Sequence, residues 1–106
     1  MKCLKAVIRP EKEADVIQGL EAAGISALTK WDVLGRGRQR GIQVGGAVYG
    51  ELPKVCLVVV VDDALVPVAV EAIINRAQTG NPGDGRIFVS AVKETYTIRT
   101  GRVDSA

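Results

Sequence analysis

The sequence predicts a single α+β domain in which two helices cover one face of an antiparallel sheet. Three observations support this prediction: apolar runs of strand length, two segments with apolar residues at helical spacing, and turn residues between them. Along the 106 residues these segments follow the order β-α-β-β-α-β, which is the ferredoxin-like arrangement. We therefore expect one domain over residues 1–106, with a long loop between the second and third strands.

The first half of the chain supplies a strand, a helix and a second strand. Cys3 to Ile8 is mostly apolar, and Arg9-Pro10 ends this strand, because the residue before proline is pushed to extended geometry and proline itself suits a helix start. Helical spacing of apolar residues follows, and Gly24 suits the C-terminal end of that helix. Ile25 to Leu34 has the character of a second strand.

The second half repeats the pattern. Leu52 to Val61 is a long strand, and Asp62 and Asp63 are candidate N-caps of a helix whose first turn holds Pro67. The remaining segments are a glycine-rich turn, a strand, a short last strand and a C-terminal tail expected to fray: Thr79–Gly85, Arg86–Val92, Tyr96–Arg99 and 101–106.

The strand from Val55 to Val61 is apolar at every position, so both of its faces are apolar. A strand in a sheet with one solvated face would alternate between apolar and polar residues. Because the chain offers no further helix, we expect a second copy of the chain to cover the other face of the sheet.

Composition excludes several classes of function. The chain has no histidine, and Cys3 and Cys56 each lie in an apolar run, as small buried residues do. Zinc binding and histidine-based catalysis therefore lack their residues, and capping explains the acidic pair Asp62-Asp63. We expect a protein that is not an enzyme. Without a signal peptide or a bilayer-length apolar run, we expect it to be cytoplasmic, with no direct membrane insertion.

The segment Gly35-Arg36-Gly37-Arg38-Gln39-Arg40-Gly41 combines three glycines with three arginines and no acid. Glycines let the backbone approach a ligand closely, so the segment predicts an anion site at the root of a polar loop. Taken alone, such a segment is more often a solvated loop, and it lacks the Walker A pattern. Gly83-Asp84-Gly85 alone is likewise more typical of a hairpin turn.

Several segments occur together in one order: Arg9-Pro10, Gly35–Gly41, Leu52–Val55, Ala77–Gly80, Gly83–Val89 and Ile98–Gly101. With this ordered set, the chain resembles the PII signal-transduction proteins of nitrogen metabolism over nearly its whole length. The resemblance implies a homotrimer with inward-facing sheets and an ATP or ADP site in each cleft between chains. It also implies a 2-oxoglutarate site beside Mg²⁺-ATP, at the base of a flexible T-loop at about residues 38–53.

The resemblance also implies roles for individual residues. The implied nucleotide-binding residues are Val7, Thr29, Gly35, Gly37, Arg38, Gln39, Val60, Gly83, Asp84, Gly85, Arg86 and Arg99. The implied 2-oxoglutarate-binding residues are Gly37, Gln39, Arg40, Gly41 and Lys54, with Gln39 also coordinating Mg²⁺ together with ligand oxygens. Backbone N–H groups of the Gly83–Gly85 loop suit phosphate, and cationic side chains suit phosphates and carboxylates.

The chain departs from the best-known PII proteins at several positions. Thr97 stands where they have the first of two phosphate-binding arginines, which leaves Arg99. The loop is shorter, and Tyr49 does not align with the loop tyrosine that is uridylylated in those proteins. The loop residues near Gly45 and the segment Tyr96–Gly101 resemble the branch encoded beside nitrogenase genes.

These resemblances imply a non-catalytic sensor of ATP or ADP and 2-oxoglutarate that binds a target through its T-loop. The branch implies nitrogenase as the target and assembly as a homotrimer or a trimer mixed with a paralogue. The alternatives are a regulator of an ammonium transporter or metabolic enzyme, and a sensor of ATP and ADP alone. A ferredoxin-like nucleic-acid-binding module is disfavoured, because such modules stack bases on sheet aromatics and this sheet is aliphatic, so we expect no nucleic-acid partner.

Overall fold

The computed structural model of this chain describes residues 1–36, 42–44 and 47–104, with segments 42–44 and 47–49 described by their backbone. The helices are α1 (Glu13–Ala22) and α2 (Val66–Ala77). The strands are β1 (Lys2–Ile8), β2 (Thr29–Gly35), β3 (Ile42–Val44), β4 (Ala47–Tyr49), β5 (Leu52–Val61), β6 (Gly85–Ala91), β7 (Tyr96–Thr97) and β8 (Arg102–Val103). Neither helix in this part of the chain is long and apolar enough to cross a bilayer.

Four strands form one sheet in the order β2-β5-β1-β6, and every neighbouring pair is antiparallel. Leu4 in the centre of β1 lies opposite Val59 of β5 on one side and Val89 of β6 on the other. Together with the two helices, this strand order confirms the ferredoxin-like α+β fold that the sequence predicts.

The core lies between the sheet and the helices. Its largest fully buried side chains are Leu4, Ile8, Val16, Leu20, Leu57 and Ile73. Alternate residues of the two central strands point to the helices, since side chains on a strand alternate between faces. Full burial of each large aliphatic side chain contributes about 1.5–3 kcal/mol relative to exposure, so these positions hold the helices on the sheet.

The opposite face of the sheet, which we call the open face, carries a mixture of apolar and polar side chains. Its residues follow from the strand register: Thr29, Trp31 and Val33 of β2; Lys54, Cys56, Val58 and Val60 of β5; Cys3, Lys5 and Val7 of β1; Arg86, Phe88 and Ser90 of β6. Trp31 is 46% exposed, Val60 45% and Phe88 54%. The strand from Val55 to Val61 therefore does have two apolar faces, of which one is covered within the chain.

Both cysteines have free thiols. Cys56 is buried as the sequence predicts, whereas Cys3 is half-buried. Cys3 lies opposite Val60, and Cys56 lies opposite Val7. This four-residue offset separates the two cysteines by about 13 Å along the strands, which is too far for a disulfide.

The second strand is shorter than the sequence predicts, because it begins at Thr29 and not at Ile25. Gly24 has φ +85°, as expected for a residue that ends a helix. Its N–H donates to the carbonyl of Glu21, and the N–H of Ile25 donates to the carbonyl of Leu20. Ile25 is therefore held by the helix end and buried in the core, which removes it from the sheet.

The predicted capping of the second helix by Asp62 and Asp63 is wrong. A 3₁₀ turn over Asp63–Leu65 precedes α2, and the side chain of Asp62 makes no capping hydrogen bond to it. Asp63 instead accepts a hydrogen bond of 2.6 Å from the amino group of Met1. The α-helix starts at Val66, and Pro67 lies in its first turn, where proline is tolerated.

The C-terminal segment is more ordered than a frayed tail. Strand β8 pairs with β7, and Asp104 accepts hydrogen bonds from the hydroxyl groups of Thr95 and Thr97. The expected fraying is therefore wrong for residues 102–104. Within the predicted T-loop range, β3 pairs with β4, and residues 52–53 already belong to β5.

Candidate functional site

One end of the sheet gathers segments that are far apart in the sequence. Ile8, the last residue of β1, lies opposite Val55 of β5 and Gly85 of β6, while Gly35 of β2 lies opposite Leu52. The T-loop range joins β2 to β5 at this same end, which we call the loop end of the sheet. It therefore brings Arg9, Gly35, Lys54 and the Gly83–Arg86 segment together beneath the T-loop.

The loop between α2 and β6 is organised around the carboxylate of Asp84. Oδ2 accepts the N–H groups of Thr79 and Gly80, both at 2.8 Å, and Oδ1 accepts the hydroxyl group of Thr79 and Nε of Arg9. The hydroxyl and N–H of Thr79, followed by the N–H of Gly80 and the Arg9 guanidinium, hold the pKa of Asp84 well below its usual range. Asp84 is thus an anion that shapes the loop from within.

Arg9 connects the end of β1 to this loop. Its Nε lies 3.2 Å from Oδ1 of Asp84, and its Nη2 donates to the carbonyl oxygen of Pro82 at 2.8 Å. The guanidinium group thus fixes two points of a loop more than 70 residues away in the sequence.

Lys54 supplies a second cation at the same place. Its Nζ donates a hydrogen bond of 2.5 Å to the carbonyl oxygen of Gly83. Partial burial, followed by the nearby charge of Arg9, lowers the pKa of Lys54, while Glu11 and Asp84 act in the opposite direction. Arg9 and Lys54 are neighbouring cations, and such a pair favours a bound anion, such as a carboxylate or a phosphate.

Two glycines of the loop are required by its backbone. Gly85 has φ +107°, and a Cβ atom there would lie 1.7 Å from the carbonyl oxygen of Val7. Gly83 has φ +98°, and a Cβ there would lie 3.2 Å from Nη2 of Arg9. Glycine is favoured at such φ values and in such close approaches, so the Gly-Asp-Gly sequence serves a defined loop.

A family model and several relatives match the sequence of this chain. The family model for nitrogen regulatory protein P-II matches residues 1–102. This chain belongs to the P-II family. The resemblance drawn from the ordered segments is therefore confirmed, and the match includes the loop end of the sheet and most of the β7–β8 hairpin.

Individual relatives cover nearly the whole P-II chain. It is 49% identical over 100 residues to nitrogen fixation nifHD region glnB-like protein 1 of Methanococcus maripaludis. The aligned residues make up 94% of this chain and 95% of the relative. The protein of the same name from Methanothermococcus thermolithotrophicus is 48% identical over 101 residues, covering 95% and 96%. Nitrogen regulatory protein P-II 2 of Methanothermobacter thermautotrophicus is 49% identical over 105 residues, covering 95% and 91%.

Family membership assigns this P-II chain to nitrogen regulation. P-II proteins are signalling proteins that generally bind ATP or ADP and 2-oxoglutarate, assemble as trimers and act on target proteins. The loop end of the sheet, with its two cations and its glycine loop, has the chemistry that such anionic ligands need.

Those described residues that the resemblance assigns to nucleotide lie in two separate groups of the P-II chain. Val7, Gly35, Gly83, Asp84, Gly85 and Arg86 lie at or near the loop end of the sheet. Thr29 and Val60 lie towards the opposite end, since Val60 is four residues beyond Cys56, the partner of Val7. That offset corresponds to about 13 Å, so a single chain does not bring the two groups together.

A surface depression lies at each end of the sheet. The one beside Lys54 has a volume of about 420 Å³ and is lined by Pro10, Asp32, Val33, Leu34, Pro53 and Lys54. The one at the opposite end has a volume of about 540 Å³, and its lining includes Gly24 to Ala27, Val60 to Asp62, Thr95 and Asp104. Val60 therefore lines a depression separate from the one beside Lys54.

The hairpin that carries Arg99 is attached at this opposite end. Just before it, the N–H of Val92 donates to the carbonyl of Met1 at 3.1 Å, and Asp104 at its other end lines the larger depression. Arg99 itself is exposed in the turn of the hairpin. Arg99 thus belongs with Thr29 and Val60 and not with Lys54.

Gly37, Arg38, Gln39, Arg40 and Gly41 lie outside the described residues, so their proposed contacts with nucleotide, 2-oxoglutarate and Mg²⁺ stay predictions. Within residues 1–36 and 47–104, no cluster of three or more acidic or cysteine side chains is arranged to hold a metal ion. That Gln39 coordinates Mg²⁺ together with oxygens of the ligands likewise stays a prediction.

Sequence reasoning assigned no role to two residues that build this site, Arg9 and Thr79. The sequence does contain a signal for each. Arg9 precedes a proline at a strand end, so its backbone is held extended and its charge lies at that end of the sheet. Thr79 begins a turn-forming stretch that contains Asp84. Neither signal names the partner, because Arg9 and Asp84 are 75 residues apart.

Proposed function

We propose that this chain is a non-catalytic, cytoplasmic sensor of ATP or ADP and 2-oxoglutarate, which acts as a homotrimer and regulates nitrogen fixation by binding nitrogenase through its T-loop. The observation that carries the proposal is the convergence of Lys54, Arg9 and the Gly83–Gly85 loop at the point where the T-loop leaves the sheet. A ligand bound there touches the root of the segment that would meet a partner.

The proposed trimer is supported by the open face of the sheet. Trp31, Val60 and Phe88 on this face are about half exposed, although apolar side chains of this size favour burial. Exposed apolar patches of this kind are typical of interaction surfaces. A neighbouring copy that covers them would also bring its own Thr29, Val60 and Arg99 towards the loop end of the first chain, as a nucleotide site between chains requires.

The proposed 2-oxoglutarate site uses the two cations of the loop end. A dianion beside Lys54 would accept the hydrogen bond that Nζ now donates to the carbonyl of Gly83, which exchanges a neutral acceptor for a charged one. Hydrogen bonds to charged acceptors are stronger than those to neutral ones. Arg9 adds a second positive charge close by. Mg²⁺, held by Gln39 and by oxygens of nucleotide and 2-oxoglutarate, would link the two ligands.

The proposed switch is a population shift of the T-loop. Binding of 2-oxoglutarate with Mg²⁺-ATP would draw Gln39, Arg40 and Gly41 against the ligand and so favour a folded loop root. With ADP the loop would stay available for its partner. The ligand changes the loop population only by its difference in affinity for the two loop states.

The proposed target is supported by the names of two relatives, which place them in nifHD regions of nitrogen fixation. Purified nitrogenase components should co-elute with the protein in the presence of Mg²⁺-ADP and separate from it with Mg²⁺-ATP and 2-oxoglutarate. Co-elution that is absent in both conditions would redirect the search to an ammonium transporter or a metabolic enzyme.

Calorimetric titration of 2-oxoglutarate tests the ligand proposal directly. The protein is titrated with Mg²⁺-ATP, with Mg²⁺-ADP and without nucleotide, and we expect binding only with Mg²⁺-ATP. Binding of nucleotide without any binding of 2-oxoglutarate would instead identify a sensor of ATP and ADP alone. If neither ligand binds, the proposed function is wrong, although the family and fold remain.

A further inference from the structure

The hairpin formed by β7 and β8 holds a second arginine that none of the roles above uses. Thr97 of β7 lies directly opposite Arg102 of β8 in the antiparallel pair. Directly opposite residues of two antiparallel strands share a face, with Cβ atoms about 4.5–5.5 Å apart. The side chain of Arg102 therefore starts beside that of Thr97.

The turn between the two strands is well defined. The carbonyl oxygen of Thr97 accepts the N–H of Thr100 at 3.2 Å and the N–H of Gly101 at 2.8 Å. Gly101 has φ +67°, which reverses the chain. The N–H of Arg102 then donates to the hydroxyl group of Thr100 at 3.3 Å. These bonds keep Arg99 and Arg102 on one short, closed segment of backbone.

Thr97 itself is occupied within the hairpin. Its hydroxyl group donates to Oδ1 of Asp104, and Thr95 donates to Oδ2 at 2.7 Å. The Thr97 hydroxyl, followed by that of Thr95, holds the pKa of Asp104 below its usual range. Thr97 thus supplies no positive charge, and its donor is already used.

Arg102 differs from Thr97 both in its charge and in the use of its donors. It is exposed, and none of the ion pairs formed within residues 1–36 and 47–104 involves its guanidinium group. Arg99 in the same turn is also exposed. Two guanidinium groups three residues apart on a closed turn provide a concentrated positive charge with planar donors, which suits phosphate oxygens.

The hairpin with these arginines lies beside the depression lined by Val60, which is one half of the proposed nucleotide site. Thr95 and Asp104 line the same depression as Val60 and Asp62. The carboxylates of Asp62 and Asp104 disfavour a phosphate inside the depression, because like charges repel at short range. A nucleotide whose uncharged part lies in the depression would therefore direct its phosphates away from these acids and towards the arginines of the turn.

We propose that Arg102 is a second phosphate-binding arginine of this chain, which acts with Arg99 on a nucleotide bound between chains and supplies the charge absent at Thr97. This inference rests on the proposed nucleotide site and adds a residue to it. The other role open to Arg102 is structural, since Asp104 lies only two residues away, directly after β8. The two roles predict different effects on charged and uncharged ligands.

The test compares the variant Arg102→Ala with the wild-type protein by calorimetric titration with ATP, ADP and adenosine. We expect ATP to bind about tenfold more weakly or worse, because a hydrogen bond to a charged group is lost. Adenosine, which has no phosphate, should bind with the wild-type affinity. The matched control is Arg76→Ala, which removes an exposed arginine from the helix layer and should leave all three affinities unchanged.

A charge exchange across the strand pair provides the second test. The double variant Thr97→Arg with Arg102→Ala returns the guanidinium group to the opposite strand and should recover most of the ATP affinity. Thr97→Arg alone should change ATP affinity less than about threefold, because Arg102 already carries the charge. The variant Arg102→Gln, which keeps a polar but uncharged side chain in the hairpin, should lose ATP affinity as the alanine variant does.

The outcomes separate this inference from the proposed function. If the wild-type protein binds no nucleotide, the proposed nucleotide site itself is wrong. If the wild-type protein binds ATP and Arg102→Gln binds it equally well, the site stands and Arg102 has no part in it. Equal losses for ATP and adenosine would show a structural role for Arg102 and would overturn the proposal.

Discussion

The ammonium group of Lys54 donates a hydrogen bond to the carbonyl oxygen of Gly83, and so connects the start of β5 to the loop before β6. This bond ties the root of the T-loop to the glycine loop. An ammonium group has three N–H donors, so Lys54 can donate to an anion as well as to Gly83. We expect this side chain to couple ligand binding to the conformation of the glycine loop.

The first prediction concerns Lys54→Ala. The variant should bind 2-oxoglutarate at least about tenfold more weakly in the presence of Mg²⁺-ATP, because a charge-assisted hydrogen bond is lost. Its affinity for ADP should change less than about threefold, since the proposed carboxylate contact is absent from ADP. Calorimetric titration measures both affinities.

The control for this prediction is Lys93→Ala, which removes an exposed lysine beyond the end of β6. It should leave both affinities unchanged. Equal losses of 2-oxoglutarate and ADP binding in Lys54→Ala would remove the specific assignment of Lys54 to 2-oxoglutarate.

The second prediction concerns Asp84→Asn and its dependence on pH. The folded-state pKa of Asp84 lies below the unfolded value of about 3.9, so at pH values between the two, unfolding takes up a proton. The stability that Asp84 contributes is therefore complete above about pH 4 and decreases as the pH falls towards the folded-state pKa. The difference in melting temperature between wild type and Asp84→Asn should be largest near pH 7 and should shrink below about pH 4.

Thermal melts at several pH values measure this difference. Asp32→Asn, an exposed carboxylate on the edge strand β2, serves as the control. A wild-type to Asp84→Asn difference that stays constant from pH 7 to pH 3 would show that the charge of Asp84 does not stabilise its loop.

The third prediction compares two glycines with similar backbone and different surroundings. Gly85→Ala should lower the free energy of unfolding by about 3 kcal/mol or more, because φ strain adds to a clash with the carbonyl of Val7. Gly80 has φ +87° and no atom within 4 Å of a built Cβ, so Gly80→Ala should cost only about 1–2 kcal/mol. Denaturant unfolding measures both, and equal costs would mean that β1 moves aside without penalty.

The fourth prediction addresses the open face. Phe88→Asp should convert the protein from a species of three 11.2 kDa chains to smaller species, because a charge cannot be buried cheaply against another copy. Light scattering after size exclusion measures the mass. Val68→Asp changes a residue on the helix layer that is 41% exposed and should leave the mass unchanged. A wild-type protein of one-chain mass would contradict the proposed trimer.

Much of the fold was predictable because its signals are local. The long strand ending at Val61 is apolar over most of its length. Pro67 restricts where the following helix, α2, can begin. Proline in the first turn of a helix restricts the helix start to a few residues. Gly24 likewise indicated the end of the first helix, and its φ of +85° confirms that reading.

The errors occurred where a tertiary contact overrides a local preference. Asp63 has the chemistry of an N-cap, yet its carboxylate is taken by the amino group of Met1 at the start of β1. Ile25 has strand propensity, yet the helix end and the core hold it. The segment around Arg102 has the composition of a tail, and only its pairing with Thr97 makes it a strand.

The candidate site was predictable in its cations and glycines and not in its connections. Lys54 and Gly83–Gly85 were identified by resemblance, and the structure brings them into contact. The pairing of Arg9 with Asp84 could not be read from the sequence, because an ion pair between distant segments leaves no periodic pattern. The separation of Thr29 and Val60 from this group is equally a property of the strand register.

Trp31 is the only tryptophan of the sequence, and it lies on the open face, 46% exposed and opposite Cys56 of the central strand. Indole fluorescence depends on the polarity around the ring, so its emission wavelength should report how far the open face is exposed to water. On assembly the emission should shift to the blue, and dilution should reverse the shift. The chain thus carries its own optical probe of the contacts on which the nucleotide site is proposed to depend, without any added label.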